Sequence, residues 1–399
     1  PITSSGLLAI TDLKLNMVKQ INNTSLIIFF LVAKNIKKNS LFKFNLNKSY
    51  LCQKKKFMKK IMILTLVILT FFSCLNVQKD QEVVNVYTKR HYQVDKDLFK
   101  SFETEYGIKV NVVKASADEL IERIKTEGEN GPADIIITVD AGKLYKAVQE
   151  NLLQKIDASE ICKTLNPALI DVNEYWLPIT YRSRVIVYHK DRVSPSELST
   201  YNDLTDSKWK NRLLVRTSTN AYNQALMSSI IAHEGEEYAI DWSNKIVENF
   251  ARAPKGNDRD QVRAISANIG DIAIVNSYYI GLLMSSEDSL DRLVGNSVNV
   301  FFPNQAEEER GAHVNISGIG LLKTAPNAEN AKKLMKYLTS EYAQDYYTNN
   351  SYEYPVNTKV EPSRILANWG SFKIDNLDLN NLGYFRKNAV EIFEKSNWK

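Results

Sequence analysis

The sequence predicts an α/β protein of two closely packed lobes, each built on a mostly parallel sheet flanked by helices. Three observations carry this. From Val83 onward, β-rich runs alternate with stretches of helical spacing, the pattern of βαβ units. A second alternating stretch begins near Arg184. The chain, at 399 residues, exceeds one ordinary domain of roughly 100–200 residues.

The elements follow in order. Val83–Tyr87 is a strand, and Leu98, Phe99, Phe102 and Tyr106 fall at helical spacing, with Gly107 suited to the position just past a helix end. Ile108–Val113 alternates as a second strand. Asp118 through Ile124 reads as a helix ending near Gly128, Ile135–Val139 as a short apolar strand, and Leu144–Leu153 as a helix. In the second stretch, Arg184–Tyr188 and Leu213–Val215 are strands, Gln224–Ala232 is a helix and Ile272–Val275 is a strand. Val298–Phe302 and Ile316–Leu322 follow as strands, then Ala328–Leu338 as a helix. No low-complexity linker or fixed-period repeat intervenes, so the lobes are expected to exchange strands rather than hang on a tether.

The formal net charge of +5 is distributed unevenly. Residues 1–73 alone carry +11, from 12 Lys against the single acid Asp12, and the remainder carries −6. A basic protein would invite nucleic acid. Here the basicity belongs to a segment read as cleaved or foreign, and no nucleic-acid partner is expected.

Met58-Lys59-Lys60 opens a positive region, and Ile61–Phe72 follows with twelve uncharged residues. A basic start, an apolar stretch of this length and a small residue match a secretory signal peptide over 58–73. Twelve residues are too few to span roughly 30 Å of hydrocarbon. Phe71-Phe72-Ser73-Cys74 resembles a lipobox, with Cys74 as the acylated residue, and ordinary cleavage near Ser73 is the alternative. Residues 1–57, rich in Lys, Asn and Ile, read as translated upstream sequence and are set aside, and 74–82 as a tether. Of the three Cys, Cys52 and Cys74 precede the folded part and Cys162 stands alone, so neither a disulfide nor a Cys-based metal site is expected there.

Enzyme signatures are weak. The exported part contains no G-x-S-x-G, H-E-x-x-H, P-loop or G-x-G-x-x-G, and four His offer little for a multi-His zinc site. Tyrosine stands out, with 20 in all. His91-Tyr92 follows the first strand, and Tyr278-Tyr279 follows the strand ending at Val275. Within a strand, neighbours point to opposite faces. Where a strand turns into a helix both can face one cleft, and Asn276-Ser277 are suitable capping residues there. Ligands of open α/β sheets bind at the carboxyl ends of strands. Taken alone, the pair reads equally as a packed aromatic patch, and His91 as a hydrogen-bonded structural His.

From Val83 to Lys399 the chain resembles the Fut-type ferric-ion-binding proteins of ABC importers, in the type II periplasmic binding-protein class. The resemblance rests on Tyr87-Thr88-Lys89-Arg90-His91-Tyr92, Thr138-Val139-Asp140-Ala141-Gly142, Tyr222-Asn223-Gln224, Gly256-Asn257-Asp258, Ile274-Val275-Asn276-Ser277-Tyr278-Tyr279, His313-Val314-Asn315-Ile316-Ser317-Gly318 and Tyr352-Glu353-Tyr354-Pro355-Val356-Asn357. It implies a two-lobed fold with a ligand cleft, lobe 1 from 83–184 and 309–359, lobe 2 from 185–308 and 360–399. It further implies a ferric ion held by His91 and Tyr92 from one lobe and Tyr222, Tyr278 and Tyr279 from the other. The partner implied is an ABC permease, the location the outer face of the cytoplasmic membrane or the periplasm, and the state a monomer.

The chemistry agrees. Ferric iron is a hard cation, a phenolate supplies anionic oxygen, and the metal must displace a proton from a group of pKa near 10. Three phenolates balance the ion and a fourth leaves one negative charge. Arg182 and Arg184, then Arg252, are expected to answer it, though each reads equally as a salt-bridge partner. The family commonly carries an Arg three positions after the Tyr pair, where this chain has Leu282. A structural hydrogen bond is expected for His313, and capping or turn roles for Asp134 and Asp140. Two other readings remain: a protein of the same fold for an organic anion or another small ligand, and an exported Tyr/His acid–base enzyme, whose only nearby carboxylate is Asp95.

Overall fold

The computed structural model describes residues 57–58, 81–90 and 92–399. Residues 59–73 of the signal segment, Cys74 and His91 lie outside the described residues, and residues 81–399 form one compact unit. Among the described residues no helix is long and apolar enough to cross a membrane.

The first lobe opens with β1 (Val83–Thr88), α1 (Gln93–Tyr106) and β2 (Lys109–Lys114), then α2 (Ala117–Glu127), β3 (Ile135–Thr138) and α3 (Ala141–Gln149). β1 lies between β2 and β3 and is parallel to both, pairing Val84 with Val110 and Tyr87 with Ile136. Val84, Val86 and Ile135–Ile137 are buried, as both faces of a helix-covered parallel sheet demand. Gly107, at φ 69°, ends α1 in the left-handed conformation that an L side chain resists. Ser116 and Glu119 form a capping box that starts α2.

β4 (Trp176–His189) is the hinge of the architecture. Its first half pairs antiparallel with β8 (Val314–Leu321), which also pairs with β3. Its second half pairs antiparallel with β6 (Ile272–Asn276) and β7 (Val298–Phe301), while β5 (Leu213–Leu214) runs parallel to β6. The sheet order is β2-β1-β3-β8-β4-β6-β5. One strand thus serves both sheets, where the sequence suggested a strand only from Arg184. The first half is masked by Pro178, next to which the register shifts, and by Thr180, Arg182 and Ser183, which are polar yet buried.

The second lobe carries α4 (Ala221–Glu234), α5 (Glu236–Val247), α6 (Asp258–Ser266), α7 (Tyr278–Met284) and α8 (Ser289–Asn296). The chain then returns to lobe 1 for α9 (Ala328–Leu338), α10 (Glu341–Ser351) and β9 (Tyr354–Pro355), and ends in α11 (Arg386–Lys395). One hydrophobic core gathers around β1, β3 and β8, and two others cover the faces of the β4–β6 sheet. The C-terminal stretch is shared, because Leu379 and Leu382 join the first core while Ile392 and Phe393 join the second. Arg386 on α11 pairs with Asp140 at the start of α3 across 2.7 Å, tying the lobes behind the cleft.

Candidate metal centre

The site lies where β4 passes between the sheets. Tyr92 is the last residue before α1, and Tyr222 sits in the first turn of α4 behind Asn220, whose side chain accepts from the Tyr222 N–H at 3.0 Å. Tyr278 and Tyr279 open α7 immediately beyond β6. Four phenols from three elements converge. The Tyr222 and Tyr278 hydroxyls are 3.3 Å apart, and Tyr92 and Tyr279 also interact electrostatically with Tyr278. The Tyr278 and Tyr279 rings lie 4.2 Å apart at 33°. Tyr92 belongs to lobe 1 and the other three to lobe 2, so the phenols meet across the cleft. His91, the fifth expected ligand, lies outside the described residues.

The turn into α7 differs from the expectation that Asn276-Ser277 cap it. Ser277 is helical (φ −52°, ψ −43°) and makes no side-chain cap. Its hydroxyl instead accepts from the Ser183 N–H at 3.3 Å, and Asn276 Oδ1 accepts from Arg184 at 3.2 Å. The polar pair anchors the end of β6 to β4, and so fixes where the tyrosine pair begins.

Tyr92, Tyr278 and Tyr279 are held neutral. Burial pushes the Tyr92 hydroxyl up to about 12, with the Glu353 carboxylate adding to it. Burial raises Tyr278 and Tyr279 further, helped by the other phenols and, for Tyr279, by Asp258. Such groups ionise only for a strong cation. Among the described residues no cluster of three His, Cys, Asp or Glu could hold a metal.

Guanidinium groups surround the phenols. The Arg182, Arg184 and Arg216 guanidinium carbons lie 5.8, 5.8 and 5.6 Å from the centre of the Tyr222 ring, and Arg90 lies 5.0 Å from that of Tyr92. Arg184 and Arg216 share the buried Asp258, and Arg90 pairs with both Asp95 and Glu353 at 2.8 and 2.9 Å. Arg182 is buried without a carboxylate partner and donates to the Val139 carbonyl. With Arg259, 5.9 Å from the Tyr279 ring centre, five cations face three carboxylates.

Arg252 is not among these groups; it donates to the Gln261 side chain on α6 at 3.3 Å. Arg216, which the sequence does not set apart, lies over Tyr222 instead. Arg90 was visible within the Tyr87–Tyr92 block but carried no role there. Asp95 is engaged by Arg90 and by the Tyr347 hydroxyl, a structural partnership. His313 is fixed through its backbone, its N–H donating to the Tyr201 hydroxyl at 3.2 Å and its carbonyl accepting from Arg184. Asp140 caps α3 by accepting from the Lys143 N–H, and Asp134 accepts from the N–H groups of Asn85 and Asn327. Cys162 is a free, half-buried thiol.

Beside the phenols opens a cavity of about 340 Å³, lined by Tyr92, Gln93, Arg259, Tyr279, Leu282 and Asn350 among others. The Arg259 guanidinium lies 5.9 Å from the Tyr279 ring centre, on the wall that also holds Leu282.

Residues 97–373 match the family model of the bacterial extracellular solute-binding proteins. The iron uptake protein A1 of Synechocystis is 44% identical over 321 residues, 80% of this chain and 88% of that protein. The Trichodesmium FutA protein, solved in complex with iron and citrate ligands, is 43% identical, covers 79% of this chain and all of its own, and superposes with a TM-score of 0.76. A ferric binding protein from Campylobacter jejuni is 38% identical over 79% of this chain, with a TM-score of 0.74.

Proposed function

The chain belongs to the bacterial extracellular solute-binding proteins, and we propose that it captures ferric iron outside the cytoplasmic membrane and delivers it to an ABC permease. The observation that carries this is the convergence of Tyr92, Tyr222, Tyr278 and Tyr279 from two lobes onto one point. Each phenol loses its proton to the solvent as the ion binds, and the surplus guanidinium charge offsets the fourth phenolate. Ligands from both lobes make the filled cleft the closed one, because the ion has more donors there than in an open form. His91 is the fifth donor.

The 340 Å³ cavity exceeds what a lone ion needs. Arg259, with no hydrogen bond or ion pair among the described residues, faces the open side of the cluster, where a small carboxylate can complete the coordination shell. The site is one for binding, not for turnover. The protein acts as a monomer, tethered through an acylated Cys74. That tether is tested by metabolic labelling with an acyl probe, which Cys74→Ser should abolish and ordinary cleavage would never have shown.

The test of the ligand is calorimetry on iron-free protein. Ferric iron supplied as a weak chelate should bind at one equivalent, and organic anions or sugars alone should give no heat. Saturable heat from an organic ligand without metal, and none with iron, would overturn the reading.

A further inference from the structure

Behind the tyrosines the lobes are joined by more than β4. Leu379 and Leu382 are buried in the core of lobe 1, while Ala389, Ile392 and Phe393 are buried in a core of lobe 2. The chain therefore crosses between the cores within residues 383–388. The short helical turn Asn381–Tyr384 packs on α3 of lobe 1 and on α4 of lobe 2. Its fit to α3 has no slack. A Cβ on Gly383 would lie 2.5 Å from Tyr145 Cδ1, and one on Gly142 would lie 2.8 Å from Arg386 Nη2.

Arg386 closes this crossing. It opens α11, which packs on α4 in lobe 2. Its Nη1 donates to Gln224 Oε1 on α4 at 3.3 Å, which steers the guanidinium. Its Nη2 then reaches across the lobe boundary to Asp140 Oδ1 at 2.7 Å. Asp140 is 2% exposed and caps α3, and the Asn315 amide on β8 donates to its other oxygen at 3.2 Å.

The clasp leads straight to the tyrosines. Gln224 follows Tyr222 by two residues, about 200° around the helix. The first turn of α4 thus turns its phenol to the cleft and its amide to Arg386. On the cleft side Arg182, over the Tyr222 ring, donates to the carbonyl of Val139, the neighbour of Asp140. The turn at 139–140 of lobe 1 is gripped by two arginines, one on each side of Tyr222.

These are contacts of the closed cleft, since Tyr92 of lobe 1 and Tyr222 and Tyr278 of lobe 2 are together. Opening carries α4 and α11 away from α3. The buried Asp140 carboxylate would then lose its cation, and an uncompensated buried charge is costly. We propose that Arg386 is a positioning residue, a latch behind the cleft that biases the metal-free chain toward closure and holds Tyr222 opposite Tyr92. The latch acts on the iron site described above, and that reading underlies its effect on affinity alone.

The test is small-angle X-ray scattering of metal-free and iron-loaded protein, beside a ferric titration. Arg386→Gln removes the cation and keeps an amide donor. Its metal-free form should have a larger radius of gyration than the wild type, and its iron-loaded form the same radius. Ferric affinity should fall about fivefold or more as the closed fraction shrinks. The charge-transfer band should keep its position, because no ligand has changed. Asp140→Asn keeps a capping oxygen on α3 and removes the charge, so it should act in the same direction, and it decides if Arg386→Gln does not fold. An unchanged metal-free radius in the folded variant overturns the proposal. So does a shifted band, which would mean that Arg386 acts on the ligands themselves. Failure of the iron reading looks different: wild-type protein would give no band with iron, whereas the metal-free radii involve no metal.

Discussion

Tyrosine is common in this chain, and what separates four of its tyrosines from the rest is company. Tyr201 is as buried as Tyr278, yet its hydroxyl donates to the Arg184 carbonyl and accepts from the His313 N–H, so it has a structural task. Tyr201→Phe should therefore cost about 1–3 kcal/mol of stability, measured by denaturant unfolding, and leave iron affinity unchanged. Arg182→Gln should do the reverse on affinity. Removing the unpartnered cation beside the phenols should weaken ferric binding by roughly 10–100-fold, the range for residues that support metal ligands. A loss below twofold would mean that Arg184 and Arg216 carry the compensation alone. The four converging tyrosines could be picked out because each stands at a strand end or helix start, in text that resembles a known family. Arg216 was not legible, since nothing in Val215-Arg216-Thr217 separates it from a surface arginine. Only its tertiary pairing with Asp258 places it over Tyr222.

At the level of elements, the site is held by how α7 and β4 are seated. Gly281, in the middle of α7, faces Tyr352 so closely that an added Cβ would lie 2.6 Å from the Tyr352 Cβ and Cγ. Gly281→Ala must push the helix away from α10 and carry Tyr278 and Tyr279 with it. The expected cost is about 1–3 kcal/mol, the usual range for overpacking, together with weaker iron binding. Unchanged affinity would show that the helix tolerates the shift. A second element-level contact tests the acid range. Burial alone would raise the Asp271 carboxyl, but hydrogen bonds from Arg192 and Arg212 at 2.6 and 2.7 Å outweigh it and hold it below the ordinary value. A depressed carboxyl stabilises the fold above its unfolded value, near pH 4, and that contribution disappears as pH falls through the folded value. The stability gap between wild type and Asp271→Asn should be constant at neutral pH and shrink below roughly pH 4. Most strands and helices α1 to α4 and α9 could be read from period and turn residues, whereas α5, α10 and α11 were not picked out. β4 could be read only in part, because a strand that crosses between two cores buries Arg182, Ser183 and Arg184 where alternation predicts apolar residues.

Across the whole molecule, two lobes share one long strand, and the phenols meet where that strand changes sheets. Binding an ion between lobes should stabilise the closed form as a unit. Ferric iron at a thousandfold over its Kd should add about 4 kcal/mol to unfolding stability, visible as a raised thermal midpoint. The net charge that first suggested a basic protein belongs to residues 1–73, and the folded part is acidic. Of its basic residues, Arg90, Arg182, Arg184, Arg216 and Arg259 lie around the tyrosines. The central claim is that phenolates from both lobes ligate ferric iron, and the visible spectrum reports it most directly. Adding one equivalent of ferric iron to the metal-free protein should produce a red-to-purple charge-transfer band that saturates at that ratio. The band should be largely lost in the double variant Tyr278→Phe/Tyr279→Phe. No band in the wild type, or one of equal strength in the variant, contradicts the account.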